Sequence, residues 1–166
     1  MAELTERAVA SRVPTLLDQP LKVVGRRDPV AVRPGTSLSD CLAAVQASGA
    51  GDSVFVTDAE NRLVGVLAER DIFSRIVGGS VDLAAPVEAL LTVDPRSLQL
   101  DQTVAAAVDL MQTGRYRNVP VLDGERHLVG VVRPLDILTY LAESFPQELL
   151  NLPPLSDQHI EEPEGA

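Results

Sequence analysis

The chain has 166 residues, 45% of them hydrophobic, a single cysteine and a formal net charge of −10. That is enough apolar material for one sizeable core, or for two small units that share one, while the lone cysteine excludes an internal disulfide framework and no Cys/His spacing suits zinc. The acidic balance argues against non-specific binding to nucleic acid or to an anionic membrane, because attraction to phosphate needs a basic face.

The N-terminal segment, residues 1–19, is polar and holds one short amphipathic stretch, Ala8 to Leu17, interrupted by Pro14. It has neither the run of roughly 7–15 apolar residues of a signal peptide nor the about 18 of a membrane span, so a cytoplasmic protein is expected.

A first repeat is read over residues 20–79. Asp28-Pro29 precedes a short strand at Ala31, and Leu38, Cys41, Leu42 and Val45 then follow the i, i+3, i+4, i+7 pattern of one helical face, with Ser37 placed to cap it. Gly49 ends that helix. Val54-Phe55-Val56 turns through Asp58 to Asn61 into Leu63 to Leu67, a hairpin of β-branched and apolar residues. A closing helix is read from Asp71, Ile72, Phe73 and Ile76.

The same series returns over residues 80–144. Asp94-Pro95 leads to Ser97, the helix face is Val104, Ala107, Val108 and Met111 with Asp101 as expected cap, and Gly114 ends it. Val119-Pro120-Val121 turns through Asp123 to Arg126 into Leu128 to Val132, and the last helix is read from Leu135, Leu138, Leu141 and Ala142. The spacing between copies is 66 through the first helix and 65 afterwards, and ten of the twenty positions in 53–72 recur in 118–137. Each unit reads strand, helix, strand, strand, helix. About 60 residues alone are marginal, which favours an α/β (α+β) fold of two pseudo-symmetric β-α-β-β-α repeats packed sheet to sheet. Residues 145–166 close the chain. Phe145 to Pro154 is apolar and expected to dock back on the core, and the acidic end from Ser156 is expected to be disordered; from Glu143 onward there are six carboxylates and no Lys or Arg.

The order Asp-Pro, capped helix, Val-Pro-Val, Leu-Val-Gly-Val-Val and Asp-Ile-Leu resembles a tandem pair of CBS domains, over roughly residues 20–142. The resemblance implies a regulatory, non-enzymatic module that binds an adenosine-containing ligand such as AMP, ADP, ATP or S-adenosylmethionine between the repeats, and that forms a homodimer through its helices. It carries a ligand signature Gly-x-x-Thr/Ser-x-x-Asp, whose Asp holds the ribose hydroxyls. Here that signature reads Gly65-x-x-Ala68-x-x-Asp71 and Gly130-x-x-Arg133-x-x-Asp136. Both aspartates remain and both hydroxyl residues are gone. An ionised carboxylate suits a vicinal diol, and it equally suits the N–H groups of a helix start. Arg133 offers a planar cation to phosphate or to a salt bridge.

By the same resemblance Arg117 is a phosphate-reaching arginine, Val119 and Pro120 line adenine, and Asn118 and Val54 neighbour them; Asp52 of the first copy would repel phosphate. Ser97 keeps a hydroxyl that Ala31 lacks. Arg117 and Arg133 both fall in the second copy, so Asp136 is expected to matter more than Asp71 and one site is expected to be competent. Cys41 is read as packing, and His127 and His159 as unrelated to any metal. The sequence offers no activated nucleophile or paired acid and base, so no enzyme is expected. A ligand-free module serving only association stands as the alternative to a sensor of AMP, ADP or ATP.

Overall fold

The computed structural model describes residues 17–49, 53–79, 81–114 and 116–146. The expectations for residues 1–16, Asp52 and residues 147–166 lie outside them. The first repeat contributes β1 (Ala31–Val32), α1 (Leu38–Ser48), β2 (Ser53–Thr57), β3 (Leu63–Ala68) and α2 (Glu69–Val77); the second contributes β5 (Leu98–Gln99), α3 (Val104–Gly114), β6 (Val119–Leu122), β7 (Leu128–Val132) and α4 (Pro134–Ser144). β4 (Thr92–Val93) lies ahead of β5, and each repeat opens with a short 3₁₀ turn, at Leu21–Val23 and Val87–Ala89. The strand, helix, strand, strand, helix order predicted from the repeat is thus present twice.

Local chemistry sets the boundaries. The Asp40 amide donates to Ser37 Oγ at 3.1 Å, and α1 ends where Gly49 takes a left-handed φ of 61°. In α3 the cap is Thr103, whose Oγ1 accepts from the Ala106 amide at 3.2 Å. The expected cap, Asp101, sits in the preceding exposed turn. Only a residue three before the amide can reach it, and Thr103 is the one that matches Ser37 at the repeat spacing of 66. Both hairpins turn on an aspartate: Asp58 Oδ1 accepts from the amides of Glu60 and Arg62, and Asp123 Oδ1 from those of Glu125 and His127.

Each repeat carries a small sheet. The first has the order β1-β2-β3-β4 and the second β5-β6-β7, with the opening strand parallel to the second and the remaining pairs antiparallel. The two sheets face each other through Phe55, Leu63, Leu122, Leu128 and Val131. Their hairpins are stitched by two symmetric bonds, from the Leu63 amide to the Arg126 carbonyl at 3.3 Å and from the Leu128 amide to the Asn61 carbonyl at 3.0 Å.

The segments that lead into the repeats are exchanged. β4, in the opening segment of the second repeat, pairs with β3 of the first; Arg27, in the opening segment of the first, exchanges two backbone bonds of 3.1 Å with Val131 on β7 of the second. The 3₁₀ turns do the same. Leu21 and Lys22 donate to the carbonyls of Gln102 and Leu100, and Leu21 and Val24 sit in the core made by α3, β6 and β7. Val87 donates to Thr36 and sits in the core made by α1, β2 and β3.

On α4 the buried face differs from the expected stripe. Ile137 is buried and Tyr140 and Leu141 pack beside it, whereas Leu135 and Leu138 are 57% and 54% exposed. The helix is apolar on two faces, so its period alone does not choose between them. Ile72 on α2 is likewise buried while Phe73 and Val77 face outward. Phe145 packs edge-on against Tyr140, with ring centroids 6.4 Å apart.

The exchange makes a specific prediction. Leu21→Ala should lower the unfolding free energy by about 2–5 kcal/mol, as for a buried leucine that leaves a cavity. Hydrogen exchange should then accelerate first in α3 and β6, although Leu21 opens the other repeat. Faster exchange confined to α1 and β2 would contradict the exchanged arrangement.

Candidate ligand-binding clefts

The seam between the repeats opens as two clefts, back to back across the starts of β2 and β6. Ser53 and Asn118 line both, and Asn118 Nδ2 donates to Ser53 Oγ at 3.2 Å. Ser53 and Asn118 correspond at the spacing of 65, so this bond lies on the pseudo-two-fold relating the repeats.

The first cleft encloses about 550 Å³. Its floor comes from β3 and the start of α2, with Val66, Ala68, Asp71 and Phe73; Thr92 joins from β4, and Gly114, Tyr116 and Arg117 close it from the second repeat. The Asp71 side chain is 39% exposed and stands 3.9 Å from Arg70 Nε. The Tyr116 hydroxyl accepts from the Arg96 amide at 3.3 Å, which fixes the ring at the mouth. This cleft therefore offers an accessible carboxylate, a hydroxyl, an aromatic ring and a guanidinium. Its size falls within the range of small-molecule sites, about 300–1,000 Å³.

The second cleft is smaller, about 350 Å³, and its lining is basic: Arg26, Arg27 and Arg133 against Asp28. Asp136 lies beneath it with its side chain only 6% exposed. One carboxylate oxygen accepts from Arg27 Nε at 2.9 Å; the other accepts from the Arg133 amide at 2.9 Å and faces Arg133 Nε at 3.5 Å. Asp136 is thus the third residue of α4, and its carboxylate holds the helix start by accepting from the N-cap amide of Arg133, one half of a capping box, with Pro134 opening the helix.

A family model described as the CBS domain matches residues 22–78 and again residues 87–143. The chain belongs to the CBS-domain family. Among curated relatives, an uncharacterized 17.7 kDa protein of Acidianus ambivalens is 29% identical over 112 residues, 68% of this chain and 66% of that protein. The CBS domain-containing protein CBSCBSPB5 of Arabidopsis thaliana is 32% identical over 79 residues, 47% of this chain and 14% of that protein. The chain therefore spans less than two thirds of the length of these relatives. Among solved structures, a CBS-domain protein of Agrobacterium tumefaciens is 28% identical, with a TM-score of 0.64 over 73% of this chain and 98% of that one. The cytosolic domain of the Mg²⁺ channel MgtE, solved with ATP, is 26% identical with a TM-score of 0.58, over 67% of this chain and 44% of that one. A CBS domain pair solved with 5′-methylthioadenosine and S-adenosyl-L-methionine shares the fold, with a TM-score of 0.66 at 19% identity over 76% of this chain and 98% of that one.

The CBS pair sorts the predicted residues in a way the sequence reading did not. Arg117 shares the first cleft with Asp71 and Ala68, and Arg133 lies in the second above Asp136. Arg117 therefore lies apart from Arg133 and Asp136, and each cleft takes residues from both repeats, as the family resemblance implies. Val54 and Val119 are 1% and 0% exposed, sit in the two cores, and line neither cleft; Pro120 is buried beside Val119. Ser97 and Ala31 stand at strand starts and also line neither. Thr92, Tyr116, Phe73, Arg26 and Arg27 were missed. Thr92 and Arg27 are equivalent positions in the two opening segments, Thr92 pairing with Val66 as Arg27 pairs with Val131, a correspondence visible only once the strands are paired.

Other titratable groups have structural settings. Burial, and then Asp40 and Glu88, push the Cys41 thiol up, in keeping with a packed rather than reactive cysteine. The hydrogen bond from His127 holds the Asp123 carboxyl below its usual range at the hairpin turn. Among the described residues no group of His, Cys, Asp and Glu is arranged to hold a metal ion, and no helix is long and apolar enough to cross a membrane.

The pairing of Asp136 should be measurable. Asp136→Ala is expected to lower stability by about 2 kcal/mol, since hydrogen bonds to charged groups contribute roughly 1.5–3 kcal/mol each and the half-exposed Arg27 can rehydrate. Asp71→Ala should cost less than about 1 kcal/mol, the value of an exposed acid near a helix start. Urea midpoints that rank the two variants in the opposite order would show that Asp136 does not hold α4.

Proposed function

We propose that the chain is a regulatory, ligand-sensing module that binds an adenosine nucleotide, AMP, ADP or ATP, in the cleft of Asp71 and Arg117. The observation that carries this reading is the difference between the two aspartates: Asp71 reaches into a cleft of about 550 Å³, whereas Asp136 is sequestered. An ionised carboxylate can accept from both hydroxyls of a ribose. Thr92 brings to the same cleft the hydroxyl that Ala68 lacks, Val66, Phe73 and Tyr116 give a base an apolar wall, and Arg117 suits phosphate. The adenosine compounds held by the MgtE domain and by the other CBS pair point the same way. This order reverses the sequence expectation: Asp71 now ranks above Asp136.

A thermal-shift panel of AMP, ADP, ATP, S-adenosylmethionine and NAD tests the reading. A ligand at ~100 times its Kd should stabilise the fold by roughly 2.7 kcal/mol. Asp71→Ala should weaken binding at least tenfold, and more than Asp136→Ala does. Arg117→Ala should weaken ATP more than adenosine. Flat melting curves across the panel at millimolar ligand would refute the sensor and leave a module that serves association alone.

The same proposal includes a cytoplasmic homodimer. Phe73 and Val77 on α2 and Leu135 and Leu138 on α4 are large apolar side chains left more than half exposed. A self-complementary two-fold contact would cover them. Phe73 also lines the ligand cleft, so occupancy there bears directly on the associating surface. Light scattering at micromolar concentration should report about twice the 17.7 kDa chain mass, and Leu135→Glu combined with Leu138→Glu should return it to one. A monomeric parent protein would refute the dimer.

A further inference from the structure

We infer that Arg27 limits this chain to one nucleoside site, by acting as a built-in counter-ligand for Asp136. The inference rests on the reading above, in which Asp71 holds a diol.

The repeat supplies an internal control. Asp71 and Asp136 are equivalent at the spacing of 65, and so are Thr92 and Arg27, because Thr92 pairs with Val66 on β3 as Arg27 pairs with Val131 on β7. Thr92 on β4 is exposed and carries no charge, and the Asp71 side chain in its cleft is 39% exposed. Arg27 occupies the matching edge of the other sheet, and the Asp136 side chain is 6% exposed. One change of residue type, in the lead-in segment and outside the ligand signature, accompanies the difference between an open and a sequestered carboxylate.

The occupied state is well held. Arg27 is anchored by reciprocal backbone bonds to Val131, so its guanidinium is presented to Asp136 from within the chain. Both oxygens of the carboxylate are already engaged, one by Arg27 Nε at 2.9 Å and one by the Arg133 amide at 2.9 Å. A diol brings no charge of its own, so to take the carboxylate it would have to break an ion pair and leave the Arg27 cation without its counter-ion, where the Asp136 side chain is only 6% exposed. The competition favours the arginine. The second cleft then lacks a carboxylate able to read a ribose.

Counting ligands tests this. In calorimetric titrations with AMP and with ATP, the parent protein should bind one nucleotide per chain, and Arg27→Thr, which copies Thr92, should bind two. Asp71→Ala combined with Arg27→Thr should keep one tight site. Asp71→Ala alone should keep none, its residual binding at least tenfold weaker, an arm that does not depend on any Arg27 variant folding. Two nucleotides on the parent protein, one on a folded Arg27→Thr, or parent-like affinity left in Asp71→Ala would each overturn the role of Arg27 while leaving nucleotide binding intact. No binding to the parent or to any variant would instead refute the nucleotide reading, and this inference with it.

Discussion

Each repeat of this chain has its core closed by the segment that leads into the other. Leu21 and Val24 fill the second repeat's core, Val87 fills the first's, and the backbone of Arg27 and of β4 adds an edge to the opposite sheet. A unit of about 60 residues leaves too much apolar surface in water to be secure alone. The exchange removes that difficulty and adds another consequence: neither repeat has a complete core until both are present. The pair is the folding unit. The faced sheets of Phe55, Leu63, Leu122, Leu128 and Val131 then seal a structure whose halves are already interlocked.

The same exchange builds the clefts. Because each lead-in segment lies along the opposite sheet, each cleft draws residues from both ends of the molecule, and a cleft's character is decided by side chains far apart in sequence. Thr92 reaches the cleft of Asp71, and Arg26 and Arg27 the cleft over Asp136. Duplication made the two backbones alike; the lead-in segments made their electrostatics differ. One cleft presents an accessible carboxylate with a hydroxyl and an aromatic ring. The other is basic at its surface and neutralises its carboxylate internally.

Much of the fold was legible in the sequence. The period, both hairpins, the Ser37 cap and the order of elements follow from local pattern, because turns, caps and amphipathic faces depend on residues a few positions apart. What escaped depends on distance. Nothing local pairs Arg27 with Val131, or Arg117 with Asp71, so clefts that draw on both repeats are implied by the resemblance while the residues that share each one are not. The reading of α4 failed for another reason: a helix apolar on two faces gives a period that fits either, and burial chose Ile137. The cap of α3 is Thr103 rather than Asp101, and the spacing of 66 from Ser37 falls on Thr103.

Where β2 and β6 begin, the partition between the clefts is a serine hydroxyl and a carboxamide, 3.2 Å apart. Both side chains face both cavities, so a substitution at Ser53 or Asn118 alters two linings at once, and neither cleft can be reshaped at that point without the other.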